Sequence, residues 1–439
     1  ARLYPEQGLG GQLLGFVSLD EQNQRVGRYG LEGYFDDVLR GKAGHIEAER
    51  DASGRRLTIG SITLEEAEDG RDIVLTLDRQ IQYIACAKIK EAVSRFGATG
   101  GSVVIVNPKD GSILAMCSAP DFDPAQFRFV QDVGVFNNPV TYYHYEPGSI
   151  FKPVTLAAGI DAGKITPRTT YVDTGAEEID DFTIRNSDKK AHGVQSMTDV
   201  LEKSLNTGTI YVQRSLGKEA FRSYVEKFGF GEKTGIPLTA EAKGDISQIY
   251  KRGDIFAATI SFGQGMAATP LQMVMSYVPL ANGGELFAPR LVEEMGTAPG
   301  IMERVAPKSL GRVISERTSR LITAMLVNVV ENGHGKRAGV PGYYVGGKTG
   351  TAQIPNPKGG YLKDATIGSF VGYAPANDPR FVMLVKIDRP TTVQFAESSA
   401  APIFGELAKD LVQLMNIPPE RAVRIPSPST PSSTSAVIP

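Results

Sequence analysis

The chain has 439 residues, 41% hydrophobic and 22% charged, with 47 basic side chains against 49 acidic. This is a globular composition with length for one large domain and a smaller one. The formal charge of −2 gives no electrostatic footprint for nucleic acid.

Residues 1–70 are polar and glycine-rich, with a short helix expected in 30–44 and a hairpin turning around Ala52, Ser53 and Gly54. A regular pattern begins with the strand RDIVLTLD (71–78), whose final Asp can cap the start of a helix. In 79–97, Ile81, Ile84, Ala85, Ile89 and Val93 recur near one helical face, and Gly97 lies past the end. GSVVIVNP and GSILAMCSAP, joined through Lys109, Asp110 and Gly111, read as a β-hairpin. The middle, 150–340, reads as mostly helical. Three strands follow, YYVGGKTGTAQI, TIGSFVGYAP and RFVMLVKIDRP, then a helix at about 397–416. Strands from both ends of a domain, with a helical block between them, predict an antiparallel sheet of distant segments covered by helices. Residues 424–439 are rich in Ser, Thr and Pro and are expected to be disordered.

Cys86 and Cys117 stand in no C-x-x-C spacing, which argues against a disulfide framework or a cysteine metal site and leaves the compartment open. The four histidines are scattered singly, so no zinc cluster and no cofactor is expected. No run approaches the roughly 20 apolar residues that span a bilayer. The first residue is not Met, so the expectation is an incomplete chain whose amino-terminal part lies outside it.

YEPGSIFKPVT (145–155) places Ser149 three residues before Lys152 in an apolar context. On a helix the two lie on one face, close enough for a shared hydrogen bond. Alone, so short a pattern is better read as an N-cap serine before a solvated lysine. KSLNTG (203–208) holds Ser204 and Asn206, which face one cleft only if the backbone turns there. GGKTGTAQI (346–354) reads as a strand in which Thr349 and Thr351 share a face and Lys348 points the other way. Gly350, lacking a side chain, lets another backbone approach. The glycine-rich SFGQGMAATPLQM matches no phosphate-loop pattern and is read as structural. S-x-x-K, then S-x-N about 50 residues on, then K-T-G about 140 beyond, is the ordered trio of penicillin-binding proteins and β-lactamases. Leu205 stands where that pattern has Asp, between two polar positions that are kept.

The chain resembles class B penicillin-binding proteins, monofunctional peptidoglycan D,D-transpeptidases. YEPGSIFKPVTLAAGID, FTIRNSD, FGFGEKTGIPL, SFGQGMAATPLQM, LANGG and GGKTGTAQ are similar to family stretches in family order. The likeness spans roughly 71–416. RLYPEQGLGGQLLGFV and GLEGYFDDVLRGKAG resemble the end of the family's pedestal module.

The resemblance implies an α/β (α+β) transpeptidase fold with a sheet of about five strands. It divides the chain into a partial pedestal (1–70), a transpeptidase domain (71–418) and a tail (419–439). It implies Ser149 as nucleophile and Lys152 as its base, with a pKa lowered by burial, by Lys348 and by the helix end. Ser204 is implied as proton relay, Asn206 as holder of the peptide amide, and the N–H groups of Ser149 and Thr351 as oxyanion hole. Lys348 is implied as a fixed charge behind Thr349 and Thr351, which bind the substrate carboxylate beside Gly350.

SFGQG and S-x-N look closer to division-type members, implying a septal role. The implied partners are stem peptides, β-lactams, a glycosyltransferase and other wall-synthesis proteins. The implied place is the extracytoplasmic face of the bacterial membrane, held by an anchor that this chain lacks. The rival readings are a serine β-lactamase and a β-lactam-binding sensor or scaffold.

Overall fold

The structure, a computed structural model, describes residues 2–5, 8–49, 51–53, 55, 62–298, 300–356 and 358–422. In the amino-terminal module Phe16–Leu19 pairs antiparallel with Arg25–Arg28, and His45–Ala48 with Ile62–Glu65. The expected turn is present: the Asp51 carboxylate accepts from Ser53 N and Arg55 N. The return strand, however, begins at Ile62, beyond the 44–60 segment expected to hold the hairpin, and 56–61 lie outside the described residues. Gly30–Tyr34 and Asp36–Leu39 form the expected short helical region. The module is joined to the rest by Phe16, which stacks on Phe127 at 4.2 Å and meets Phe122 edge-on at 6.0 Å.

Helix α1 (Arg79–Arg95) starts where Asp78 accepts from Gln80 N and Ile81 N, and it buries Ile81, Ala85, Ile89 and Ala92. Strands β1 (Gly100–Val106) and β2 (Ile113–Ala119) follow as the expected hairpin, and α2 is Lys152–Asp161. Next come two short ribbons. β3 (Thr170–Asp173) pairs with β6 (Gly193–Ser196), and β4 (Ala176–Ile179) pairs with β5 (Phe182–Arg185). Helices α3 (Met197–Glu202), α4 (Asn206–Leu216), α5 (Pro270–Ala281) and α6 (Glu316–Glu331) make up most of the remaining block. Strands β7 (Gly346–Pro355), β8 (Tyr361–Ala374) and β9 (Phe381–Asp388) and helix α7 (Ala400–Leu414) complete the domain.

The five long strands form one antiparallel sheet in the order β7-β8-β9-β1-β2. Alternation decides its two faces. Val104, Val106, Val371 and Leu384 face the helical block, whereas Val103, Ile105, Phe370 and Val385 face α1 and α7. The sheet built from distant segments is as expected. The helical block is less purely helical than expected, because strands of four residues are too short to show a period.

Two further expectations are corrected. Cys86 on α1 and Cys117 on β2 form a disulfide, with Cα atoms 5.2 Å apart. Their spacing gave no sign of it, because packing α1 onto the sheet is what brings them together. The tail expected from 419 starts with docked residues. Glu420 accepts from Tyr344 N at 2.7 Å, and Arg421 forms two hydrogen bonds of 2.9 Å to Glu331. Residues 423–439 lie outside the described residues. Among the described residues, no helix is long and apolar enough to cross a membrane.

Candidate active site

Pro147 and Gly148 turn the chain into one short 3-10 turn, Gly148–Phe151, which runs directly into α2. Gly148 has φ +60, and its N–H donates to the Gly263 carbonyl at 2.9 Å. A Cβ on Gly263 would lie 2.2 Å from the Gly148 carbonyl oxygen, so the glycines of SFGQG let the two loops touch. Ser149 is half-buried on this turn, while Ile150 and Phe151 are buried in the core. Ser149 is therefore carried by a packed turn and caps no helix with its side chain.

Lys152 is 0% exposed. Its Nζ donates to the Ser204 carbonyl oxygen at 2.5 Å and to Ser204 Oγ at 3.2 Å, and not to Ser149, the partner that the i, i+3 spacing suggested. Burial pushes Lys152 well below the ordinary lysine range, and the nearby Lys348 cation pushes it further. Ser204 stands on the turn between α3 and α4, with φ +59, and Asn206 is the first residue of α4. That turn is what the S-x-N pattern required.

K-T-G lies on β7, at the edge of the sheet. Gly350 meets the Ser149 turn: a Cβ there would sit 3.0 Å from Ile150 Cγ2 and 3.1 Å from the Pro147 carbonyl. Lys348, also 0% exposed, donates to the Thr349 carbonyl at 3.0 Å. Burial lowers its pKa to about 7, and the Glu397 carboxylate opposes that shift. Thr351 Oγ1 accepts from Ala396 N at 3.0 Å, which ties β7 to the loop after β9.

Ser149, Lys152, Ser204, Lys348 and Gly350 thus converge where the sheet edge meets the helical block. Among the described residues, no cluster of His, Cys, Asp or Glu could hold a metal.

Three neighbours escaped the sequence reading. Glu146 accepts from Gly265 N at 3.0 Å and from Tyr361 Oη at 2.9 Å, joining the Ser149 loop to SFGQG and to the β7–β8 hairpin. Glu397 pairs with His334 at 3.1 Å beside Lys348. Asn186, within the FTIRNSD stretch, accepts from Asn206 N at 2.9 Å. Each acts across segments far apart in the chain, so no local spacing marks it.

A helical block thus meets the edge of a five-stranded antiparallel sheet, with a serine and two buried lysines at the seam. The chain belongs to the penicillin-binding protein transpeptidase family: residues 101–409 match the penicillin-binding protein transpeptidase domain. Residues 1–75 match the penicillin-binding protein dimerisation domain.

The chain is 38% identical to Stage V sporulation protein D of Bacillus subtilis (strain 168) over 425 residues, covering 96% of this chain and 65% of that protein. It is 29% identical to the peptidoglycan D,D-transpeptidase FtsI of Escherichia coli (strain K12), covering 95% of this chain and 68% of that protein. Penicillin-binding protein 3 of Mycobacterium tuberculosis, in complex with aztreonam, superposes with a TM-score of 0.83 at 32% identity. That match covers 96% of this chain and 92% of the other. The chain therefore spans about two thirds of the length of the curated relatives.

Proposed function

We propose that this protein is a serine D,D-transpeptidase that cross-links peptidoglycan stem peptides through an acyl-enzyme on Ser149. The observation that carries the reading is the buried Lys152, held on Ser204 one turn from Ser149 and beside a second buried lysine. Burial, and after it Lys348, favour the neutral amine, which can serve as a base without histidine. The Ser149 proton passes to Lys152 Nζ while Oγ bonds to the carbonyl carbon of the penultimate D-Ala. The amide bond to the terminal D-Ala breaks, and its nitrogen takes a proton through Ser204 Oγ. An amine of a neighbouring stem peptide then attacks the ester carbon, forming the cross-link and returning Ser149.

On this reading the N–H groups of Ser149 and Thr351 hold the oxyanion, each donor typically worth ~3–4 kcal/mol. Asn206 holds the peptide amide. Thr349 and Thr351, flanking Gly350, take the carboxylate with Lys348 behind them. β-Lactams, which carry an anionic group in place of that carboxylate and a strained amide, acylate the same serine. The relatives include FtsI and a sporulation protein, which supports a septal role. The Cys86–Cys117 disulfide supports the extracytoplasmic face, where such bonds persist. A membrane anchor and a glycosyltransferase partner belong to the same reading.

The test is mass spectrometry after incubation with benzylpenicillin. One adduct is expected, on the peptide carrying Ser149, and none in Ser149→Ala. Label on Ser204 refutes the assignment. A chromogenic cephalosporin separates the rival: one stoichiometric burst supports the transpeptidase, whereas steady turnover means a β-lactamase.

A further inference from the structure

The turn that carries Ser204 and Asn206 is held by residues outside its own sequence. Ser204 occupies the left-handed region, unusual for a serine, with φ +59. Helix α4 starts at the next residue but one, and Leu205 at its N-cap has no side-chain acceptor for the first N–H groups. Those groups are met instead from the β4–β5 ribbon. Asn186 Oδ1 accepts from Asn206 N at 2.9 Å and from Thr207 N at 3.3 Å. The Asn206 side-chain amide donates to the neighbouring Arg185 carbonyl at 2.8 Å.

Asn186 is in turn held by a buried carboxylate. Its Nδ2 donates to both Asp173 oxygens at 2.9 Å, and to the Lys190 carbonyl at 3.3 Å. Asp173 also accepts from the Thr207 hydroxyl at 2.8 Å, from Gly175 N at 2.9 Å and from His192 N at 3.1 Å. Asp173, Asn186 and Thr207 are 1%, 3% and 1% exposed.

The chemistry at position 186 is restrictive. An ionised carboxylate only accepts and a backbone N–H only donates, so the residue between them needs one of each. A terminal amide supplies both within one rigid plane. A hydrophobic residue there would strand the Asp173 charge and the helix N–H groups in the interior. An aspartate would set two carboxylates against each other.

We propose that Asn186, anchored by Asp173, is a positioning residue for this site: it holds the Ser204–Asn206 turn so that Ser204 stays on Lys152 and Asn206 faces the substrate. The inference rests on the transpeptidase reading above. Asn186 touches neither substrate nor reacting atoms. It acts through the turn, whose Ser204 supplies both acceptors of Lys152 Nζ.

The test measures acylation by benzylpenicillin, separating the acylation rate constant at saturation from the preceding binding constant, with Tm recorded alongside. Misplacing a reacting group by an ångström typically lowers a rate about 100-fold. Asn186→Ala, assayed well below its Tm, is expected to lose about that factor in the rate constant, with binding changed less. A residue with only a structural role would lower Tm and leave the rate per folded molecule alone.

Asn186→Asp, nearly isosteric, is made in parallel and decides the matter if Asn186→Ala does not fold. It is expected to be at least tenfold slower than the parent. An Asn186→Ala rate within about threefold of the parent, or an Asn186→Asp rate within that range where Asn186→Ala does not fold, overturns the inference and leaves the transpeptidase reading standing. A parent that penicillin does not label at all overturns both.

Discussion

Lys152 Nζ donates to the backbone oxygen and the side-chain oxygen of the same residue, Ser204. Both bonds cross from the helix after Ser149 to the turn before α4, so the amine is aimed by a segment 52 residues away. Burial, and after it the neighbouring Lys348, favour the neutral form of this amine.

The two lysines should answer differently to arginine. Acylation needs Lys152 neutral, so it rises with pH as Lys152 loses its proton, which burial brings far below the ordinary lysine range. Binding of a carboxylate needs Lys348 charged, so it weakens as pH climbs through about 7. Lys152→Arg cannot give up its proton and is expected to abolish acylation at every accessible pH. Lys348→Arg is expected to acylate measurably, with weaker carboxylate binding and without the decline above pH 7. Acylation rate and binding measured against pH for both variants check this. An active Lys152→Arg would mean that another group takes the serine proton.

Lys348 also links function to stability. Its folded pKa of about 7 lies below its ordinary 10.5, so between these values the unfolded chain binds more protons. Stability therefore rises with pH across that window and is flat below it. Lys348→Met, close in volume and uncharged, is expected to stabilise the fold at pH 7 by on the order of 1–4 kcal/mol. The gain should vanish above about pH 10.5, and acylation should be lost. Denaturant unfolding at pH 7 and pH 10.5 reads the effect directly.

The Cys86–Cys117 disulfide closes a loop with sequence separation 31 and ties α1 to β2 at the edge of the sheet opposite β7. Constraining the unfolded chain over such a loop is worth about 3 kcal/mol. A Cys86→Ser, Cys117→Ser variant should melt lower by that amount while acylating at the parent rate below its transition. A changed acylation rate in the folded variant would mean that α1 reaches the site through the sheet.

Truncation distinguishes the two ends of the tail. Ending the chain after Ala422 should leave Tm unchanged. Ending it at Pro418 removes the Glu420 carboxylate from Tyr344 N and Asn377 N, and the paired bonds of Arg421 to Glu331. A loss of about 2 kcal/mol is expected from these charge-assisted contacts. Calorimetry of the two truncations gives the comparison.

Much of this protein was determined by sequence alone. The strands of the central sheet carry long apolar runs, and α1 a clean helical period, so their existence and type can be read from local pattern. The three motifs name Ser149, Lys152, Ser204, Asn206 and the Lys348–Thr351 strand because the residue types sit at short fixed offsets on single elements. The tertiary structure alone decided the relations between elements. Lys152 bonds to Ser204 rather than to Ser149 because α2 packs against the turn after α3. Asn186 caps a helix that begins at residue 206, and Glu146 reaches Tyr361 across 215 positions. Cys86 meets Cys117 only once a helix lies on a sheet. That the Lys348 pKa is lowered follows only from its complete burial, since a pKa is set by the medium around the group and no residue letter records that.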